Sequence, residues 1–102
     1  MAKVTWTEQV LEDLEAIYLF IARDAPRYAE LFADQVFKAT DRLEDFPLSG
    51  RVVPEFGRED IRGIIFGNYR IVYRVLTKEV EVLTVHHGAR EIDSNAFSST
   101  GL

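Results

Sequence analysis

Residues 61–74 read Ile-Arg-Gly-Ile-Ile-Phe-Gly-Asn-Tyr-Arg-Ile-Val-Tyr-Arg. Two β-prone runs flank Gly67-Asn68, a pair suited to the two-residue turn of a tight hairpin. Strands joined in this way are antiparallel, so this stretch commits the chain to at least one antiparallel ladder. Period 2 places Tyr69, Ile71, Tyr73 and Val75 on one face and Arg70, Val72 and Arg74 on the other. Arg62 adds a cation to the first run. Strands built this way either cover apolar neighbours with long arginine stems or present cations to an acidic partner.

The elements around the hairpin follow from spacing. Lys3 to Trp6 is short, alternating and β-prone, and Thr7 is placed to cap a helix with its hydroxyl. Val10, Leu14, Ile17 and Ile21 then recur as an apolar helical stripe, with Leu11 and Tyr18 beside them and Glu8, Glu12, Asp13 and Glu15 on the other side. Asp24-Ala25-Pro26 is a break and a restart, with Asp24 as the expected cap and Pro26 in the first turn, where its missing N–H costs nothing. Ala29, Phe32, Ala33, Val36, Phe37, Thr40 and Leu43 mark a second helix that ends near Phe46-Pro47. The short link predicts an antiparallel helical hairpin. Ser49 to Asp60 reads as a loop in which Arg51 to Val53 pairs as a strand. Thr77 to Glu79 is a turn, and Val80 to His87 is a last strand. The expected architecture is α+β. An N-terminal strand and a two-helix hairpin pack on a small antiparallel sheet, in the order β-α-α-β-β-β.

At 102 residues the chain makes one domain, expected over residues 1–93, with a polar tail over residues 94–102. It contains no cysteine, which excludes disulfides and thiolate chemistry. No apolar run approaches the ~20 residues that span a bilayer, and the first residues lack the apolar stretch of a signal peptide. The expected location is therefore the cytoplasm, with no membrane partner. The formal net charge of −5 lies wholly in residues 1–48, which hold ten acids against five bases. Residues 49–102 hold seven of each, with their arginines between Arg51 and Arg90. That balance argues against general nucleic-acid binding, which leans on phosphate neutralisation, while leaving room for a local basic site.

Several segments taken together in order carry a resemblance. They are Trp6-Thr7, Asp13-Leu14 with Ile17, Pro47-Leu-Ser-Gly-Arg51, Val53-Pro54-Glu55, Tyr69-Arg70-Ile-Val-Tyr-Arg74 and Val85-His-His-Gly-Ala-Arg90. Over about residues 4 to 90 the chain resembles the RelE/ParE superfamily of bacterial type II toxins, and most closely its ParE side. It departs from the pattern at Arg62-Gly63, where members often carry Arg-Glu. The resemblance implies a plasmid-stabilisation or growth-arrest toxin held inactive by a cognate antitoxin, which wraps a helical or extended segment around it. ParE-like members poison DNA gyrase, and RelE-like members cleave mRNA on the ribosome.

Cleaving mRNA requires a base, an acid and fixed cations around the phosphate. Arg51, Arg70, His86, His87 and Arg90 supply the residue types. In this alternative Arg70 and Arg90 hold phosphate and His87 moves protons. Against it stand a pI near 5.0, lysines only at 3, 38 and 78, and no tyrosine after Tyr73. The leading expectation is a gyrase-poisoning toxin that acts by binding, with Arg51, Arg58, Arg62, Arg70 and Arg74 as candidates for partner or target contact. The competing account pairs these arginines with Glu55, Glu59 and Asp60 as a surface network worth ~0–1 kcal/mol per pair. A third expectation keeps only antitoxin binding. Phe32, Phe37 and Phe46 are expected in the core, and Trp6 as a packing anchor. Neither a metal-ligand set nor a phosphate-cradling or nucleotide motif is present, so no cofactor is expected.

Overall fold

The Gly67-Asn68 pair closes a hairpin between β3 (Ile61–Phe66) and β4 (Tyr69–Val75), with Phe66 opposite Tyr69. Gly67 takes φ 56°, the left-handed region that only glycine enters without strain. A positive φ at the first turn residue alone fits the II′ type, whose twist matches that of the strands. The computed structural model describes residues 2–87. The remaining elements are β1 (Lys3–Trp6), α1 (Glu8–Ala22), α2 (Pro26–Asp41), a 3-10 turn (Arg42–Glu44), β2 (Arg51–Val52) and β5 (Glu79–His87). The five strands form one sheet in the order β1-β5-β4-β3-β2. Pairing is antiparallel from β2 to β5, and β1 joins β5 in parallel, which makes the sheet mixed. The layered α+β arrangement is the expected one. The parallel edge arises because two helices, not a turn, follow β1.

Thr7 is the hinge between β1 and α1. Its hydroxyl accepts from Val10 N at 3.1 Å, capping the helix, and donates to Leu83 O at 2.8 Å on β5. Val10 is fully buried, and Leu14, Ile17 and Ile21 pack against the same core as Ile71, Val82 and Val85. Burying side chains of this size stabilises by roughly 1.5–3 kcal/mol each. Asp13 departs from the reading that set it with the solvent-facing acids. It accepts from the Thr84 hydroxyl and from Val85 N at 3.2 Å. The edge of β5 beyond Val82 has no β1 partner, so Thr7 and Asp13 take up its backbone groups.

Asp24 does not cap α2. The capping position falls on Ala25, with no side-chain bond, and Pro26 opens the first turn. Ala29, Phe32, Val36 and Thr40 form the buried stripe of α2. The Thr40 hydroxyl donates to the Val36 and Phe37 carbonyls, so it is buried without a polar penalty. Of the three phenylalanines expected in the core only Phe32 lies there. Phe37 is 49 % exposed and Phe46 65 % exposed. Phe37 sits just off the buried stripe, where its ring meets Trp6 at 5.3 Å, and Phe46 follows the 3-10 turn, beyond reach of the helix period.

The sheet is covered on both faces. Val53, Ile61, Val72 and Leu83 form a second core on the sheet face opposite the helices, with Phe56 of the loop folded against it. This explains why a strand face carrying Arg70 and Arg74 also carries the fully buried Val72. In β5, Leu83 is an extra residue. Tyr73 pairs with Val82, but Val72 pairs with Thr84. A bulge of this kind reverses the in-out alternation beyond it.

Candidate functional site

The arginines of the central loop and strands do not share one face. Arg62 lies opposite Tyr73, on the helix side of the sheet, whereas Arg70 lies opposite Ile65. The Arg62 guanidinium donates to the Glu59 carbonyl at 3.0 Å, to the Gly50 carbonyl at 2.9 Å and to the Leu48 carbonyl at 3.3 Å. It staples two loop segments together. Arg58 forms a two-point pair with Asp60, at 2.9 and 2.6 Å. Arg74 pairs with Glu81 at 3.0 Å, directly across the β4–β5 ladder. Arg70 pairs with Glu55 at 2.5 Å, and both side chains are largely shielded. Arg51 is exposed and makes no ion pair among the described residues.

The bulge decides which histidine meets Arg70. Unbroken alternation from Val75 opposite Val80 would set His87 on the Arg70 face. The extra Leu83 shifts the register, so Arg70 faces His86 and Tyr69 faces His87. The Arg70 Nε donates to His86 Nε2 at 3.4 Å, a long contact, and His86 Nδ1 lies 2.9 Å from the His87 carbonyl. These contacts fit the neutral tautomer with its proton on Nδ1. His87 instead meets the Tyr69 ring edge-on at 5.7 Å. The set of Arg70, His87 and Arg90 is therefore not assembled as expected: Arg70 and His87 occupy opposite faces, and Arg90 lies outside the described residues. The polar tail over residues 94–102 lies outside them as well.

Beside Arg70 runs a furrow of about 650 Å³. Its lining includes Arg42, Arg51, Val52, Pro54, Ile65 and Arg70. It wraps the edge of the sheet where β2 ends and β3 continues, so β3 offers strand edge there without a β2 neighbour. Ile65, 68 % exposed, gives the furrow an apolar element that folding left uncovered. The sequence reading missed Arg42, and of the two histidines it named it gave the proton-moving role to His87, whereas His86 is the one beside Arg70. Arg42 follows α2 in a 3-10 turn, and only the tertiary fold carries it to the furrow.

One loop makes the furrow's wall rigid. The Tyr73 hydroxyl donates to the Pro47 carbonyl at 2.8 Å and accepts from Gly50 N at 2.9 Å. Burial raises the Tyr73 pKa above its ordinary 10.0, with the Gly50 bond, Arg62 and Ser49 opposing. A Cβ at Gly50 would lie 2.6 Å from that hydroxyl and 2.8 Å from the Gly63 carbonyl, so glycine is required for this close approach. The Pro47 to Arg51 segment thus crosses over Tyr73 and delivers Arg51 to the furrow.

Comparison with known proteins agrees with this architecture. Residues 4–92 match the family described as the ParE toxin of the type II toxin-antitoxin system parDE. The chain is 33 % identical over 90 residues to Toxin RelE2 of Caulobacter vibrioides, covering 88 % of this chain and 99 % of that protein. It is 32 % identical over 92 residues to the putative toxin Y4kP of Sinorhizobium fredii, covering 87 % and 91 %. Among solved structures, a chain of the chromosomal ParDE TA system from P. aeruginosa superposes with a TM-score of 0.72 at 21 % identity, covering 85 % of this chain and 96 % of that one. A chain of the toxin-antitoxin complex RelBE2 from Mycobacterium tuberculosis superposes at 0.55 and 24 % identity, covering 84 % and 96 %.

Proposed function

This chain belongs to the ParE toxin family of type II toxin-antitoxin systems, within the RelE/ParE superfamily, and from that premise we propose that it acts by docking on DNA gyrase and blocking its cycle. A cognate antitoxin would neutralise it, as the toxin-antitoxin complexes among its structural neighbours suggest. One observation carries the preference for binding over bond chemistry. Both ring nitrogens of His86 are engaged, and its Arg70 neighbour is neutralised by Glu55, so among the described residues no free base faces a cation there. Of the described cations that line the furrow, Arg42 and Arg51 are left to meet an acidic surface, over an apolar floor. That combination suits macromolecular contact. Purified toxin added to a gyrase supercoiling reaction should stop supercoiling or trap cleaved DNA. Unchanged supercoiling at doses that still arrest growth counts against the proposal.

The second reading is a RelE-like ribosome-dependent mRNA endonuclease. What favours it is the placement of His86 beside Arg70, which lines a furrow that also holds Arg51, together with the RelE2 relative. In a translating extract programmed with one mRNA, this reading requires discrete new 5′ ends. Intact message at inhibitory doses dismisses it.

A further inference from the structure

The open edge of the sheet carries backbone groups that the β2 ladder does not reach. β2 pairs with β3 only through Arg51 opposite Gly63 and Val52 opposite Arg62. The Ile61 carbonyl accepts from Val53 N at 3.1 Å, so Ile61, Gly63 and Ile65 direct their N–H and C=O groups toward the β2 side. β2 does not run on past Gly63, because the preceding Gly50 N–H is held by the Tyr73 hydroxyl. Among the described residues Ile65 therefore has no strand neighbour on that side, and its side chain is 68 % exposed. A strand edge of this kind is a template for another extended segment.

The two walls of this edge carry the same sign of charge. Arg42 reaches the furrow from the helix layer, and Arg51 and Arg70 reach it from the opposite face of the sheet. Arg42 and Arg51 are exposed and form no ion pair among the described residues. Arg70 already holds a carboxylate, that of Glu55 at 2.5 Å. Side chains of a strand laid along Ile65 alternate between the two walls, so carboxylates on either of its faces meet arginine.

We propose that this edge binds an extended acidic peptide segment of the toxin's target, which adds to β3 beyond the end of β2. The inference rests on the reading that the furrow docks the target, and it adds the form and the charge of the docked segment. Main-chain bonds to Ile65 set the register, and Arg42 and Arg51 select for acid. A second copy of this chain would bring its own arginines to the same place. A nucleic acid satisfies the arginines but offers Ile65 no peptide ladder.

The test uses the full chain and a short peptide of glutamate and valine, followed by amide NMR. Saturating peptide should slow exchange of the Ile65 amide about tenfold and leave the amides of the β3–β4 ladder unchanged. A copy methylated at its backbone nitrogens should bind about tenfold more weakly, and so should the peptide to the double variant Arg42→Gln, Arg51→Gln. Both arginines are exposed, so the double variant should keep its melting curve. A peptide of lysine and valine should not bind. Absence of binding by the acidic peptide overturns the inference, as does binding that leaves Ile65 exchange unchanged. Equal affinity for the lysine peptide, or full affinity in the double variant, overturns the selection for acid. An Ile65 amide already protected in the free chain assigns the edge to the chain itself, and a single-stranded oligonucleotide that displaces the peptide assigns it to nucleic acid; either result overturns the inference. Adding the peptide to the gyrase reaction separates the two readings. Supercoiling that the toxin stops and the peptide restores supports both. A toxin that binds the peptide and leaves supercoiling unchanged removes gyrase as the target and leaves the inference standing. Inhibition that persists at saturating peptide overturns the inference and leaves gyrase in place.

Discussion

Tyr73 shows how much one buried hydroxyl can organise. It bonds to the Pro47 carbonyl and Gly50 N of a single crossing loop, and Arg62 ties down the Leu48 and Gly50 carbonyls of that loop from another direction. Tyr73→Phe keeps the ring but strands both loop groups. It should destabilise the fold by about 1–3 kcal/mol, read from urea unfolding. The raised Tyr73 pKa also fixes a pH response. A raised acid holds its proton more tightly when folded, so the unfolded chain loses it first as pH climbs. The stabilisation is complete below about pH 10 and is lost above it, through the higher folded value. A melting series from pH 9 upward should show that loss, and Tyr73→Phe should remove this component. Gly50→Ala forces a methyl against the same hydroxyl and the Gly63 carbonyl. It should cost about 1–3 kcal/mol. Arg51→Glu touches no described partner and should leave the melt within about 0.5 kcal/mol. If the furrow docks the target, this variant still loses inhibition. Full inhibition by Arg51→Glu would remove that residue from the docking surface.

At the scale of elements, the seam between α1 and β5 depends on polar bonds that an apolar stripe does not predict. Thr7 and Asp13 bond to the part of β5 that extends past β1, around the bulged Leu83. Asp13→Ala leaves Val85 N and the Thr84 hydroxyl without this acceptor. We expect a loss of about 1.5–3 kcal/mol, because the acceptor is charged. Asp13→Asn keeps an acceptor oxygen and should retain much of that stability. Thermal melts of the two variants decide the matter, since 1 kcal/mol shifts the midpoint of a domain this size by about 4–8 °C. Equal melts for the two variants would mean that the bonds from Asp13 contribute little and its side-chain packing dominates. The bulge has a second effect at this scale. It turns His86 toward Arg70 and sets His87 against Tyr69, so a strand irregularity chooses which imidazole lies beside Arg70.

For the whole molecule, the distribution of exposed apolar area matters more than its amount. Leu11, Leu19 and Phe37 are uncovered on the helices, and Val52 and Ile65 at the opposite sheet edge. An antitoxin that covers such surface binds the folded state and not the unfolded chain. Its binding should therefore raise the melting temperature in proportion to the logarithm of its free concentration. A hundredfold excess over Kd is worth about 2.7 kcal/mol. A melt that stays fixed across an antitoxin titration would contradict an antitoxin partner of this kind.

The order of elements, the hairpin turn, the Thr7 cap and the buried stripes of both helices were legible from periodicity and turn chemistry, because those signals are local. The family resemblance was legible for the same reason, as a sequence of short motifs in order. The tertiary structure alone decided the rest. It set β1 parallel to β5, moved Asp13 from the solvent face to a β5 clamp, and left Phe37 and Phe46 outside the core. It also committed Arg58, Arg62, Arg70 and Arg74 to partners within the chain. Each of these depends on which distant backbone or carboxylate a side chain meets. Residue spacing carries no such information, and one inserted residue at Leu83 was enough to exchange the faces of two histidines.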